Sequence, residues 1–560
     1  MQKLNRIERF KLQMSPARFR DDLEEIDWFH PDERERFYLK NFGLYNIKLD
    51  PEKWMIRLRI DGGRIEPDKL GIIAETAIGH GLRILLTSRS QIELHDIHPQ
   101  SVLEIWKELH ENDICSMQTL TDNFRAVVTD PLDGVSPECL VETYPVVMDI
   151  VERFRDRDDW TGTIPRKFNT AIVGCVRPSF NPWGNDLLFA LARSGDEMGF
   201  NVYLGGKNGE VAMNADIFCA PDDVPALFEA VATIYRTMGL RGSRAKTRLR
   251  HTIEEFGMER IMEALRKEYG SELRGAGELL MRRSSYIREA SVSIERFGRY
   301  GEIDPRTLLE IASTALSEDL RIRLTPTQEI WLIDPHRTVK DQKVHLSPVT
   351  ACAGSRYCPL SLWDIKKDVD TLPMERISRL GLSVGFSGCL KGCGRHTHSD
   401  IGLVGLRSNL YAPTERACRI FIGALQSPEV APAMMLYYSV PERALGRLLD
   451  VILDDYEASG KSAFDLFRLD VLGRYDIEFL RLWFLVRQLY DLPEKIYRRF
   501  FKNDDDSCFF FENELMEYLS AVDGFPIEKE MYLINTKLSH RLWDLQVRTY
   551  ISRPWRRQSP

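Results

Sequence analysis

The feature that most constrains this chain is a duplication inside it. Residues Gly63–Leu94 read GRIEPDKLGIIAETAIGHGLRILLTSRSQIEL, and residues Gly301–Leu332 read GEIDPRTLLEIASTALSEDLRIRLTPTQEIWL. They align without a gap at an offset of 238, with fifteen identities in thirty-two positions, among them Pro67/Pro305, Arg83/Arg321 and Thr87/Thr325. Such a repeat folds as the same supersecondary unit twice. In each copy an acidic residue and a proline (Glu66-Pro67, Asp304-Pro305) open a helix, since proline is tolerated in a first helical turn. Leu70, Ile73, Ala74 and Ala77 then fall on one helical face. A strand over Leu82–Leu86, a Thr-led loop and a second strand over Ile92–His95 follow. With a strand over Met55–Ile60 ahead, the unit reads strand–helix–strand–strand, an α+β arrangement with helices on one face of a sheet.

A weaker echo joins Thr170–Cys175 (TAIVGC) to Ser383–Cys389 (SVGFSGC), two apolar strands that run into a Gly-Cys turn. The related halves span about 40–245 and 281–440, joined by a charged helical stretch around 246–290. Two such halves imply a pseudo-twofold arrangement with a ligand at the junction. From Pro441 onward the pattern is helical and aromatic-rich (FLRLWFLVRQLYDLPEKIYRRFF) and ends in a basic tail, VRTYISRPWRRQSP. It reads as a packed helical appendage or an oligomer contact.

Four of the ten cysteines form a constellation: Cys352 and Cys358 with five residues between them, then Cys389 and Cys393 with three. Thiolates on two glycine-containing loops suit a four-iron cluster, which needs soft ligands and close backbone approach. Zinc is the rival, although its paired cysteines usually stand two to four residues apart. Unligated core thiols are the third reading. The other six (Cys115, Cys139, Cys175, Cys219, Cys418 and Cys508) are scattered and read as buried small hydrophobes. Ten cysteines in 560 residues are too few for a disulfide scaffold. The start, MQKLNRIERFKLQM, has no apolar signal region, and no apolar run approaches the ~20 residues of a membrane span. These features lead us to expect a cytoplasmic protein. The formal charge of −8 requires no nucleic-acid partner.

The neighbourhood of the cysteines narrows the choice. The chain resembles the siroheme-containing nitrite/sulfite reductase hemoproteins in the cysteine pattern followed by GRHTHSDIGLVG, and in IPRKFNTAIVGC (Ile164–Cys175). It resembles them also in MIRLRIDGG (Met55–Gly63), LLTSRSQIELH (Leu85–His95) and DNFR (Asp122–Arg125). Among them the ferredoxin-type nitrite reductases are closest in motif. The resemblance covers about residues 40–440. It implies a duplicated fold: a ferredoxin-like unit built from two half-repeats, two α/β siroheme-binding lobes, and here a helical C-terminal extension. The expected segments are an N-terminal arm (1–45), the first half-repeat (46–115), the first siroheme lobe (116–280), the second half-repeat (281–345), the cluster lobe (346–445) and the extension (446–560).

By position, the resemblance assigns Cys352, Cys358, Cys389 and Cys393 to a [4Fe-4S] cluster, with Cys393 also shared with the siroheme iron. Thr87, Arg89, Arg166 and Arg395 match positions near the eight siroheme carboxylates, where charge-assisted donors are needed. Arg57, Arg125 and Lys167 match the family's anion-binding positions. Fixed cations there neutralise and protonate the oxygens released by reduction of a small oxyanion. Asn169 stands where sulfite-type members carry a second lysine, and one cation fewer suits the nitrite monoanion better. Lys391 replaces a common asparagine between the last two cysteines, and Glu93 replaces a frequent glutamine, an unexpected charge beside a polyanionic macrocycle. His396 and His398 read as hydrogen-bonding residues rather than a metal pair. Neither Gly460-Lys461-Ser462 nor Gly205-Gly206 completes a phosphate or dinucleotide motif, so electrons must come from a separate donor, a ferredoxin or a reductase subunit.

The expected activity is six-electron reduction of nitrite to ammonia. The alternatives are sulfite reduction to sulfide on the same site, a cobalamin-pathway monooxygenase on the same scaffold, and a non-catalytic electron-transfer or assembly subunit. Retention of Arg57, Arg125 and Lys167 argues against the last two.

Overall fold

The structure is a computed structural model that describes residues 4–47, 50–408, 414–501 and 505–521. It divides into two compact units, residues 1–359 with 426–431, and residues 360–425 with 432–560. The basic tail from Val547 lies outside the described residues.

The first unit is organised by the duplication. The first copy contributes the helix Pro67–Gly79 and the strands Arg83–Leu86 and Ile92–Ile97, and the second copy the helix Pro305–Glu318 and the strands Arg321–Leu324 and Ile330–His345. Leu70, Ile73, Ala74 and Ala77 are fully buried, as are Leu308 and Ile330, in one core fed by both copies. The strand expected over Met55–Ile60 runs instead over Asp50–Arg57. Past Arg57, Leu58 still donates to the Ile92 carbonyl (2.9 Å), but Arg59 turns to the carbonyl of Cys115 (2.7 Å), which ends the ladder.

Each copy lends its shortest strand to the other. Glu302–Ile303 of the second copy closes the sheet of the first, pairing Glu302 with Leu85 and Ile303 with Ile84. Arg64–Ile65 of the first copy closes the sheet of the second, pairing Arg64 with Arg323 and Ile65 with Ile322. The two registers are the same pairing displaced by the repeat offset. The Thr-led loops match as well: Thr87 N–H donates to the Gln91 carbonyl and Thr325 N–H to that of Glu329, both at 2.9 Å. Their equivalent residues Ser90 (φ 54°) and Gln328 (φ 66°) are both left-handed, the conformation that lets each loop turn back within four residues.

The rest of the first unit is a mixed sheet. Thr170–Val173 runs parallel to Leu187–Ser194, which continues antiparallel into Glu197–Leu204 and Met213–Cys219. The helices Tyr144–Phe154, Val224–Met238 and Met258–Tyr269 pack on one side of it. The N-terminal helix Arg6–Gln13 belongs to this unit too: the buried Tyr38 hydroxyl donates to the Phe10 carbonyl (2.6 Å).

The second unit repeats that strand grammar. Val384–Ser387 runs parallel to Ile401–Ser408, followed antiparallel by Glu415–Ile422 and Met434–Pro441. The segments paired by the Gly-Cys echo thus hold the same place in their two sheets. Helices Glu442–Ala458, Phe464–Asp470, Ile477–Leu489 and Glu494–Arg499 follow, as the aromatic-rich sequence implies. Trp483 stacks on Phe500 (4.2 Å between centroids), and its indole donates to the buried Asp455 carboxylate at 2.6 Å. Burial raises the Asp455 carboxyl to about 6 despite Arg487 nearby. Among the described residues no helix is long and apolar enough to cross a membrane.

Leu70 and Leu308 occupy equivalent buried positions, so Leu70→Ala and Leu308→Ala are expected to lower the unfolding free energy by similar amounts, about 2–5 kcal/mol each, in urea titrations. Asp455 has a folded-state value above its unfolded one, so its contribution is present below pH ~4 and lost as pH rises through about 6. The stability of the wild type relative to Asp455→Asn is expected to fall by about 2 kcal/mol between pH 4 and pH 7.

Candidate active site

Two of the motif segments run side by side. Phe124 and Phe168 form a parallel bridge, with Arg125 N–H donating to the Phe168 carbonyl (2.9 Å) and Phe168 N–H to that of Asn123 (3.0 Å). Both phenyl rings enter the core, 5.6 Å apart. Extended segments alternate their side chains, so Arg125 on one segment and Lys167 and Asn169 on the other turn away from that core. Lys167 and Asn169 are half-buried. The Asn169 N–H is held by Asp186 Oδ2 at 2.8 Å, and Arg248 grips the same carboxylate with 2.8 and 2.6 Å bonds.

The Thr-led loop of the first repeat reaches the same two segments. Arg89 donates to the carbonyls of Ala126 (2.9 Å) and Thr170 (3.2 Å) and to Asn185 Oδ1 (3.0 Å). Thr87 Oγ1 accepts from the Arg89 and Gln91 N–H groups, at 3.3 and 3.2 Å, which shapes the loop from inside. Thr87, Arg89, Arg57, Arg125, Arg166, Lys167 and Asn169 therefore all lie in the first unit.

Electrostatics show how closely the guanidiniums gather. Arg125 is only 8% exposed, and its guanidinium donates to the Thr121 carbonyl (3.0 Å). Burial, then the like charges of Arg57, Arg89 and Arg166, push its pKa well below the usual arginine range. Burial and Arg244 lower Arg166 as well, and burial together with Arg166 and Arg244 brings the Lys40 ammonium down to about 8. Positive charge is thus concentrated in a poorly solvated part of the first unit.

Two carboxylates hold this charge in place. Asp122, fully buried, takes Lys11 at 2.8 Å and the two Arg244 nitrogens at 2.6 and 2.7 Å, with Arg166 at 3.7 Å. These cations keep its carboxyl at about 2 against the cost of burial. Glu93 sits directly across the sheet from Arg57, which donates to it, and also bonds His95 Nε2 at 2.9 Å. The charge that is unexpected beside a polyanionic macrocycle is thus spent within the protein, and Glu93 too is held at about 2.

From Glu93 the contacts lead to the first cysteine loop. The His95 ring meets Tyr357 edge-on at 4.8 Å, Arg83 lies 4.6 Å over the same ring, and the Tyr357 hydroxyl donates to Glu302 Oε1 at 2.8 Å. Within the loop the Gly354 N–H donates to Cys352 Sγ (3.4 Å). Cys352 and Cys358 belong to the first unit; Cys389, Cys393 and Arg395 belong to the second. There the turn into Arg395 (φ 58°) lies flat on the strand Val384–Ser387. A Cβ on Gly394 would stand 2.1 Å from the Phe386 carbonyl oxygen, so only glycine fits. His396 Nδ1 bonds Ser387 Oγ at 3.0 Å, as the hydrogen-bonding reading expects.

One sequence expectation is overturned. Cys139 and Cys175 are not isolated buried thiols but a disulfide across an antiparallel bridge. Their separation of 36 residues carries no pairing signal in the sequence; the turn after Val173 brings them together. Cys175 and Cys389 end equivalent strands, yet Cys389 is free. Sequence reading also missed Lys11, Arg244, His95 and Tyr357, because each acts through a partner distant along the chain.

Comparison with known proteins places this geometry. The family model described as the nitrite/sulfite reductase ferredoxin-like half domain matches residues 47–112, and that described as the nitrite and sulphite reductase 4Fe-4S domain matches residues 120–273. Both matches end before the cysteine constellation. A ferredoxin–nitrite reductase of Leptolyngbya laminosa is 25% identical over 445 residues, covering 72% of this chain and 87% of that protein. An assimilatory ferredoxin-dependent nitrite reductase of Haloferax mediterranei is 28% identical over 510 residues, covering 78% and 86%. A ferredoxin sulfite reductase of Mycolicibacterium paratuberculosis is 26% identical over 395 residues, covering 64% and 71%. The fold matches the solved structure of Mycobacterium tuberculosis NirA with a TM-score of 0.75 at 20% identity, over 85% of this chain and 98% of that one. The two family models match in order on a duplicated frame and the relatives carry the names of nitrite and sulfite reductases, so the chain is similar to the nitrite/sulfite reductases, which are oxidoreductases.

Proposed function

We propose that this chain reduces nitrite to ammonia by six electrons, with the anion held by Arg57, Arg125 and Lys167. The observation that carries the reading is the convergence of Arg89 and the buried Arg125 on the two paired segments that bear Lys167 and Asn169, with Arg57 and Arg166 close enough to act on Arg125 by their charge. Two kinds of anion suit it. By the family resemblance the prosthetic groups are siroheme, a polycarboxylate macrocycle, and a [4Fe-4S] cluster; Thr87, Arg89, Arg166 and Arg395 are the residues we assign to the carboxylates from their motifs. Cys352, Cys358, Cys389 and Cys393 are assigned to the cluster from their sequence pattern, Cys393 being the shared thiolate.

When bound, these groups would pass the donor's electrons to the substrate and offer the iron that binds it. The chain's own residues do the rest. Arg57 and Arg125 bind and orient the anion, Arg57 being aimed by Glu93 and Arg125 by the Thr121 carbonyl. Lys167 is the proton donor to the departing oxygens, and fixed positive charge stabilises the negative charge that accumulates on them. Asn169 sets the choice of substrate: a sulfite dianion needs a further cation that this position does not supply. Sulfite reduction remains the second reading, favoured by the sulfite reductases among the relatives. A one-electron donor of the ferredoxin type delivers the electrons, with a reductase subunit as the alternative; no nucleic acid takes part, and the protein is cytoplasmic.

Purified holoprotein is expected to show siroheme absorbance with iron and acid-labile sulfide; a colourless zinc protein would refute the assignment. Lys167→Met is expected to lower nitrite turnover by roughly 10²-fold or more with siroheme content unchanged. Asn169→Lys is expected to shift the ratio of kcat/KM values toward sulfite, a unit charge at about 4 Å being worth about 4 kcal/mol at an effective dielectric of about 20 before solvation. A native preference for sulfite, or an unmoved ratio in that variant, would remove Asn169 from the selectivity argument.

A further inference from the structure

We propose that Lys11, on the N-terminal helix Arg6–Gln13, is a positioning residue for Arg166: together with Arg244 it occupies Asp122 and so leaves Arg166 to the anionic ligand of the site. The proposal rests on the reading of that site given above.

Lys11 is built in from several sides. Its ammonium bonds Asp122 Oδ2, Glu8 Oε1 and the Ile164 carbonyl, each at 2.8 Å, and its side chain is 8% exposed. The helix that carries it is fastened at its start. Asn5 caps it by accepting from the Ile7 and Glu8 N–H groups (2.9 and 3.2 Å) and donates from its own N–H to the Arg241 carbonyl (2.9 Å). Arg241 in turn pairs with Glu8 and donates to the Thr163 carbonyl (3.0 Å). The N-terminal helix is thereby tied to the loop that bears Arg166, Lys167 and Asn169.

The charge balance gives Lys11 its role. Three cations, Lys11, Arg166 and Arg244, share the single carboxylate of Asp122. Lys11 and both nitrogens of Arg244 hold its two oxygens at hydrogen-bond distance, whereas Arg166 stands at 3.7 Å with its side chain 37% exposed. Removing the Lys11 charge leaves Asp122 with less compensation and strengthens its pull on the remaining nearby guanidinium, that of Arg166. Without Lys11, Arg166 is drawn onto Asp122 and away from the ligand. Neutralising Asp122 at the same time restores the wild-type net charge and removes the competitor.

The test uses the full-length, siroheme-loaded protein and follows release of siroheme by its absorbance at fixed ionic strength, with acid-labile sulfide as a control for the cluster. Lys11→Met is expected to release siroheme about tenfold faster than wild type, the size of effect that follows from weakening one charge-assisted hydrogen bond between Arg166 and the ligand. Lys11→Arg is expected to stay near wild type, and Lys11→Met/Asp122→Asn to return to it. A purely structural Lys11 predicts the opposite for the double variant, which would then be at least as leaky as the single one. Wild-type release from Lys11→Met, or no recovery in the double variant, overturns the proposal. Should Lys11→Met fail to fold, the double variant decides alone: wild-type release supports the role and faster release refutes it. A wild-type protein that binds no siroheme refutes the functional reading itself.

Discussion

The exchange of short strands between the repeats is the interaction on which the rest of the structure depends. Arg64–Ile65 completes the sheet of the second copy, and Glu302–Ile303 completes that of the first. Each copy alone would present an open strand edge with unpaired N–H and C=O groups. Pairing across the pseudo-twofold closes both edges and merges the two helical faces into a shared core around Leu70, Ile73, Leu308 and Ile311. The Thr-led loop that carries Arg89 leaves this frame held by its own hydrogen bonds, and its arginine reaches the carbonyls of Ala126 and Thr170. The cost of ordering the site is met in folding rather than in binding.

On this frame the chemistry is a matter of charge accounting. The family's anionic groups call for more positive charge than a folded chain carries comfortably, and here the excess is stored against only a few buried acids. Asp122 and Glu93 are two of them, both held ionised by the cations around them. They leave Arg125 and its neighbours under mutual repulsion. Repulsion between fixed charges in a poorly solvated place is what a bound anion relieves, so the same arrangement that strains the ligand-free site strengthens its complex. Glu93 also links two regions that the sequence presents as separate, since Arg57, His95, Tyr357 and the Cys352–Cys358 loop follow one another in contact from it.

Much of this was legible in the chain. The repeat implied the pseudo-twofold, the proline-led helices formed where Pro67 and Pro305 stand, and the Gly-Cys echo marked equivalent strands in two sheets. These features are local: each depends on residues within a few positions of one another and on periodicities of helix and strand. The misreadings were of a different kind. Cys139 and Cys175 carried no sign of pairing, and Glu93 looked misplaced because its partner Arg57 becomes visible only when two strands are in register. The strand before the first repeat was displaced because Arg59 leaves the ladder for a carbonyl fifty-six residues away.

The sequence by itself thus determined the duplication, the α+β units it builds and the helical extension, since periodicity and spacing carry all of these, while the candidate ligand-binding residues came from resemblance to a known family. Only the tertiary structure decided which cations share a carboxylate. Lys11 and Asp122 are 111 positions apart and Arg244 and Asp122 are 122 apart, so no spacing rule links them. Ion pairing acts through space over a few ångströms, and it is the closure of the two repeats on one another and the docking of the N-terminal helix that bring those charges within its reach.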